Sequence, residues 1–98
     1  MKKGYWIVAY RSVTDEATLR EYAKLADPVV RANDGKHLVR TADVKTAEAG
    51  LKQRTTVIEF ESLQKAIATH DSDAYQHALK VLGSAAERDF RIVEGLDD

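Results

Sequence analysis

Cysteine is absent from this chain, and with it go disulfide bonds, thiolate metal sites and cysteine nucleophiles. Proline occurs once, at Pro28, and the five glycines are scattered, so there is no proline-rich linker and no glycine-rich phosphate loop. No hydrophobic run approaches the roughly twenty residues of a membrane helix. The apolar stretch behind Met1-Lys2-Lys3-Gly4 stops at Tyr10, shorter than a signal peptide needs. An excess of charge of either sign is missing too. Fifteen basic residues against sixteen acidic ones leave a net charge of −1, unlike the basic excess of a typical nucleic-acid binder. The expectation is a cytoplasmic protein whose partners include neither nucleic acid nor membrane.

What is present suits a single domain spanning residues 1–98, with 44% hydrophobic and 32% charged residues, the balance of an ordinary globular chain. Tyr5 to Arg11 (Tyr-Trp-Ile-Val-Ala-Tyr-Arg) is aromatic and β-branched, and reads as a strand buried on both faces. Thr14 is placed to cap a helix whose first turn carries Asp15 and Glu16. Leu19, Tyr22, Ala23, Ala26, Val29 and Val30 then fall on one helical face. Pro28 is expected to kink that helix, or to restart it with Asp27 as a new cap. Asn33-Asp34-Gly35 ends it, with Gly35 suited to the left-handed conformation.

A more polar strand follows from Lys36 to Thr41, then a charged connection over 42–53, and a third strand from Arg54 to Glu61 around Val57, Ile58 and Phe60. Ser62 caps a short helix, and Asp71-Ser72-Asp73 breaks and recaps it into a second one carrying Tyr75, Ala78, Leu79 and Leu82. Phe90 to Glu94 is the last strand. The order β-α-β, β-α-β predicts an α+β, ferredoxin-like βαββαβ domain with an antiparallel four-stranded sheet. The two most apolar strands, the first and third, belong at its centre, and the charged second and fourth at its edges.

Helices in this topology cover one face of the sheet only. In the first strand Trp6, Val8 and Tyr10 share one face and Tyr5, Ile7 and Ala9 the other, and both sets are apolar. A bare apolar face of a few hundred Å2 costs several kcal/mol at about 25 cal/mol per Å2. A second copy of the chain is the simplest cover, so a homodimer is expected. The alternative cover is the 42–53 connection folding over that face.

Several fragments in order carry a resemblance: Gly4-Tyr5-Trp6-Ile7, Val13-Thr14-Asp15, Glu21-Tyr22, Gly35 with Leu38-Val39-Arg40, Val57-Ile58-Glu59-Phe60, Ser72 with Ala74-Tyr75-Gln76, Ala85-Ala86-Glu87-Arg88-Asp89 and Ile92-Val93-Glu94-Gly95. Together they resemble the domain of unknown function 1330 family over essentially the whole chain. The resemblance implies membership of the dimeric α/β-barrel superfamily, whose relatives include cofactor-free monooxygenases, lactone isomerases and haem enzymes. Where the family pattern has an arginine this chain has Leu82, with Lys80 close by, which puts an anion site at that position in doubt.

Four residues are candidates for chemistry. Glu59 lies inside an apolar strand; with Ile58 and Phe60 facing the helices, its carboxylate points to the opposite side, where loss of water would raise its pKa and suit it to proton transfer. Its structural alternative is an ion pair with an arginine. Arg40 is suited to a two-pronged grip on a substrate carboxylate, or to pairing with Glu59 or Glu48. Trp6 and Tyr10 would wall an aromatic pocket or simply fill the core, with Tyr10 a second candidate for moving a proton. His37, His70 and His77 show no metal-ligand spacing, and His70 reads as a helix-packing residue. No metal and no cofactor is expected; a haem would need His37 as axial ligand, and nothing else in the chain supports one. The reading that follows is a homodimer binding a small organic molecule, as a cofactor-free oxygenase- or isomerase-type enzyme or as a non-catalytic module with a filled interface.

Overall fold

The computed structural model describes residues 2–97. Its first strand, β1 (Gly4–Val13), is hydrogen-bonded on both sides, to β3 (Thr55–Phe60) and to β4 (Ala86–Glu94), and β2 (Lys36–Thr41) adds to the far side of β3. The order β2-β3-β1-β4 is antiparallel throughout, and it places the apolar strands centrally and the charged ones at the edges. The helices α1 (Glu16–Ala32), α2 (Leu63–Asp71) and α3 (Asp73–Leu82) complete a ferredoxin-like βαββαβ domain in which α2 and α3 together fill the second helical position.

Local chemistry sets the boundaries, with corrections to the expected ones. Asp15, not Thr14, caps α1: its carboxylate accepts from the Thr18 amide, while the Thr14 hydroxyl donates to the Ser84 and Ala85 carbonyls beside β4. Helix α1 runs through Pro28 without restarting, so Asp27 is a side chain on its flank and not a cap. Asp34 takes the left-handed conformation at φ 61°, a position tolerated best by Asn, Asp and Gly. Gly35 is required for space instead: a Cβ there would stand 2.5 Å from Val30 Cγ1 and 2.8 Å from Phe60 Cε1. Ser62 and Ser72 cap α2 and α3 as expected. Strand β4 begins at Ala86, four residues before the expected Phe90.

The helices lie on the Trp6 face. Trp6 is 1% exposed and sits at the centre of the core, its ring centroid 4.9 Å from Tyr75, 5.0 Å from Phe60 and 5.2 Å from Phe90, and its Nε1–H donates to the Ala66 carbonyl at 2.9 Å. His70 packs edge-on against Trp6 and Phe90. Helix α2 rests closely on the strands, whereas α1 leans mainly on α3. That leaves room beneath α1. The opposite face of the sheet carries no helix and presents Tyr5, Ile7, Val57 and Glu59 half-exposed, with Val39 and Val93 more open. Among the described residues no helix is long and apolar enough to cross a membrane.

Candidate functional site

The room beneath α1 is a cavity of about 370 Å3. Its floor is the inward face of three strands: Trp6, Val8 and Tyr10 of β1, Thr56 and Ile58 of β3, Arg88 and Phe90 of β4. Its roof is the apolar stripe of α1, with Leu19, Tyr22, Ala26 and Val30. Arg20, Asp27, His37, Arg40 and Arg54 stand around it.

Arg88 is the most informative residue here. Strand alternation turns Ala86, Arg88, Phe90 and Ile92 inward together, so one guanidinium enters an apolar row, opposite Tyr10 in the ladder. Its Nη1 donates to Tyr22 Oη at 3.1 Å, and its guanidinium carbon lies 5.0, 5.2 and 5.6 Å from the ring centroids of Tyr22, Phe90 and Tyr10. Cation–π contacts of this kind are strongest where water is excluded. The Tyr22 hydroxyl meets that of Tyr75 at 2.6 Å, so a chain of polar groups runs from the cavity into the core. Burial pushes the Tyr10 phenol above its ordinary pKa, against the opposing pull of the Arg88 charge. Tyr75 is raised further, by burial and then by Tyr22. Both are neutral phenols at physiological pH and can donate a hydrogen bond or a proton; Tyr10 lines the cavity.

The rim is built on an irregularity. His37 pairs with Ile58 and Val39 with Val57, so Leu38 is the extra residue of a β-bulge. Three positions apart, His37 and Arg40 would face opposite ways in a regular strand; the bulge turns both toward α1. There Arg40 grips Asp27 with both prongs, at 2.7 and 3.2 Å, and His37 Nε2 rests against the same guanidinium. Partial burial, then the Arg40 charge, lowers the His37 pKa. That nitrogen is engaged, which leaves it a poor axial ligand for a haem. Arg54 sits 5.8 Å over the Tyr10 ring and 3.7 Å from Glu16.

Of the four sequence candidates, Trp6, Tyr10 and Arg40 come together around this cavity and Glu59 does not. Glu59 is on the helix-free face, accepting from the Tyr5 hydroxyl at 3.2 Å; it shares no site with Tyr10. The partner of Arg40 is Asp27, not Glu59 or Glu48. Leu82 is a core residue beside α1, and the cavity's cations come from other elements. Sequence reasoning missed Arg88, Tyr22 and Arg54. The alternation of residues 86 to 92 was the available signal for Arg88, hidden because that strand was expected to start at Phe90. Among the described residues no cluster of three or more His, Asp or Glu is arranged to hold a metal ion.

Fold and site together define a ferredoxin-like α+β protein with a pocket between sheet and first helix. Residues 3–96 match the family described as Domain of unknown function (DUF1330), and the chain belongs to it. Similar solved structures include a protein of unknown function from Rhodopseudomonas palustris (TM-score 0.74, 14% identity, 98% of this chain and 84% of that one). A dimeric ferredoxin-like protein of unknown function from Thermobifida fusca is also similar (TM-score 0.61, 15% identity, 97% and 92%). So is a protein from Caulobacter crescentus described as a proposed antibiotic biosynthesis monooxygenase (TM-score 0.59, 13% identity, 98% and 91%). At these identities the likeness is one of fold. No curated protein matches the sequence.

Proposed function

We propose that the protein is a homodimer that binds one small organic molecule per chain in the cavity beneath α1, and acts on it as a cofactor-free enzyme of oxygenase or isomerase type. The cavity carries the proposal: about 370 Å3 with an apolar floor and roof and a few convergent polar groups, the usual make-up of a small-molecule site. Tyr10 is the proton donor in this scheme, since burial holds it neutral and a bound molecule on the β1–β4 floor lies within its reach. Trp6 walls the site, and Arg40 braces its rim through Asp27. The open sheet face, with Ile7, Val57, Val39 and Val93, is the pairing surface. The similar fold of a protein described as dimeric supports that pairing, and the described monooxygenase likeness supports the reaction class. Glu59 belongs to the pairing face and has no catalytic part.

Native mass spectrometry of protein taken directly from cells tests the proposal. A mass twice that of the chain, carrying up to two copies of one small molecule, is expected. Tyr10→Phe should retain that molecule and lose its conversion. Protein that is uniformly ligand-free, and that takes up nothing from a library of small aromatic and aliphatic compounds, would overturn the binding role.

A further inference from the structure

The charge around the cavity is lopsided: Arg20, Arg40, Arg54 and Arg88 line it against a single carboxylate, Asp27. Two of these cations are answered, Arg40 by Asp27 at 2.7 Å and Arg54 by Glu16 at 3.7 Å. Arg20 is exposed to water. Arg88 differs from all three. It is half-buried in the floor among the Tyr22, Tyr10 and Tyr75 hydroxyls and the rings of Tyr10, Tyr22 and Phe90, and among the described residues it forms no ion pair. An arginine does not lose its proton to escape burial, so this charge stands partly desolvated among neutral partners, an arrangement that an incoming anion offsets.

We infer that the cavity's ligand is a small organic monocarboxylate with an aromatic or branched apolar body. Its carboxylate receives the Arg88 fork, and its body lies on Val8, Ile58 and Phe90 beneath α1, within reach of Tyr10. One unanswered inner cation matches one negative charge, and the apolar walls match the rest of the molecule; a phosphate dianion would want more donors than this floor offers. The inference rests on the cavity being the ligand site.

Trp6 is the only tryptophan and lines the cavity, so its fluorescence reports occupancy. The probes are three acids, benzoate, phenylacetate and 4-methylpentanoate, each paired with its uncharged primary amide. At least one acid is expected to bind about tenfold or more tighter than its amide, as a charge-assisted contact in a dry site allows. Arg88→Met should abolish that preference, leaving acid and amide alike, and Arg88→Lys should restore part of it; far-UV circular dichroism checks that each variant is folded. If Arg88→Met fails to fold, loss of preference in Arg88→Gln decides the matter. Acids and amides that bind equally to the wild type, or a preference that survives removal of the guanidinium, would overturn the carboxylate assignment while leaving the cavity as a site for neutral molecules. Absence of any response to all six probes would overturn the assignment together with the binding role beneath it.

Discussion

Tyr22 and Tyr75 meet hydroxyl to hydroxyl in the core, and Arg88 joins that pair to the cavity through Tyr22. The arrangement keeps protons where they are. Tyr10 and Tyr75 both ionise later in the folded chain than their ordinary value of 10, because burial disfavours the phenolate. Above pH about 10 the unfolded chain loses these protons while the folded one keeps them, so the folded state binds more protons and stability falls as pH rises. Below that pH the contribution is fully present. Urea unfolding should therefore show a stability plateau up to pH about 9, then a decline that is shallower in Tyr75→Phe than in the wild type. At pH 7 the same variant should lose only about 1 kcal/mol, since Tyr22 keeps its bond from Arg88. An equal decline in both proteins would show that Tyr75 takes no part in it.

At the scale of elements, the order and pairing of strands were legible because hydrophobicity ranks them: β1 and β3 are apolar, β2 and β4 charged. The α2–α3 break was legible as well, from Asp71-Ser72-Asp73. Beyond the early start of β4 and the unbroken run of α1 through Pro28, two further features were not. The bulge at Leu38 leaves no mark in Lys-His-Leu-Val-Arg-Thr, since no regular alternation exists there to be interrupted. The side of β1 that the helices take was ambiguous, because Tyr5, Ile7 and Ala9 are as apolar as Trp6, Val8 and Tyr10; only packing volume decides it, and the bulkier set went inside. With that choice Glu59 and Tyr10 were parted. The bulge also has a measurable signature. His37 has a lowered pKa, by burial first and then by Arg40, with Asp27 pulling the other way and Arg31 adding to the repulsion. Its share of stability is present above pH about 6.5, and is lost as the pH falls and the unfolded chain takes up the proton first. Between pH 7.5 and 5.5 the wild type should lose more stability than His37→Gln, measured by urea midpoints at both pH values; identical losses would remove His37 from the rim's pH response.

For the whole molecule, the two sides of one sheet do different things: the helix side encloses the cavity, and the open side presents Tyr5, Ile7, Val57, Val39 and Val93. A stable interface of more than about 1,000 Å2 is expected there. Ile7→Lys places a charge at the centre of that face, between Val57 and Arg91 in the ladder, without touching the core. Light scattering at 100 μM should show wild-type dimers and Ile7→Lys monomers, both with the same circular dichroism. The Trp6 response to ligand should persist in Ile7→Lys and in Glu59→Gln, since neither residue lines the cavity. A monomeric wild type would remove the pairing face, and loss of ligand response in Glu59→Gln would return Glu59 to the site.

The central position of β1 also sets a timetable. Tyr-Trp-Ile-Val-Ala-Tyr is an uncharged, proline-free segment of high β-propensity, the kind that stacks with its own copies when left unpaired. During synthesis it emerges well before both of its neighbours, β3 at residues 55–60 and β4 at 86–94. At about 5–20 residues per second the nascent chain carries this segment unpaired for several seconds. Lys2 and Lys3 before it and Arg11 after it are charges that oppose self-stacking during that interval, so the residues flanking the segment guard it until β4 arrives.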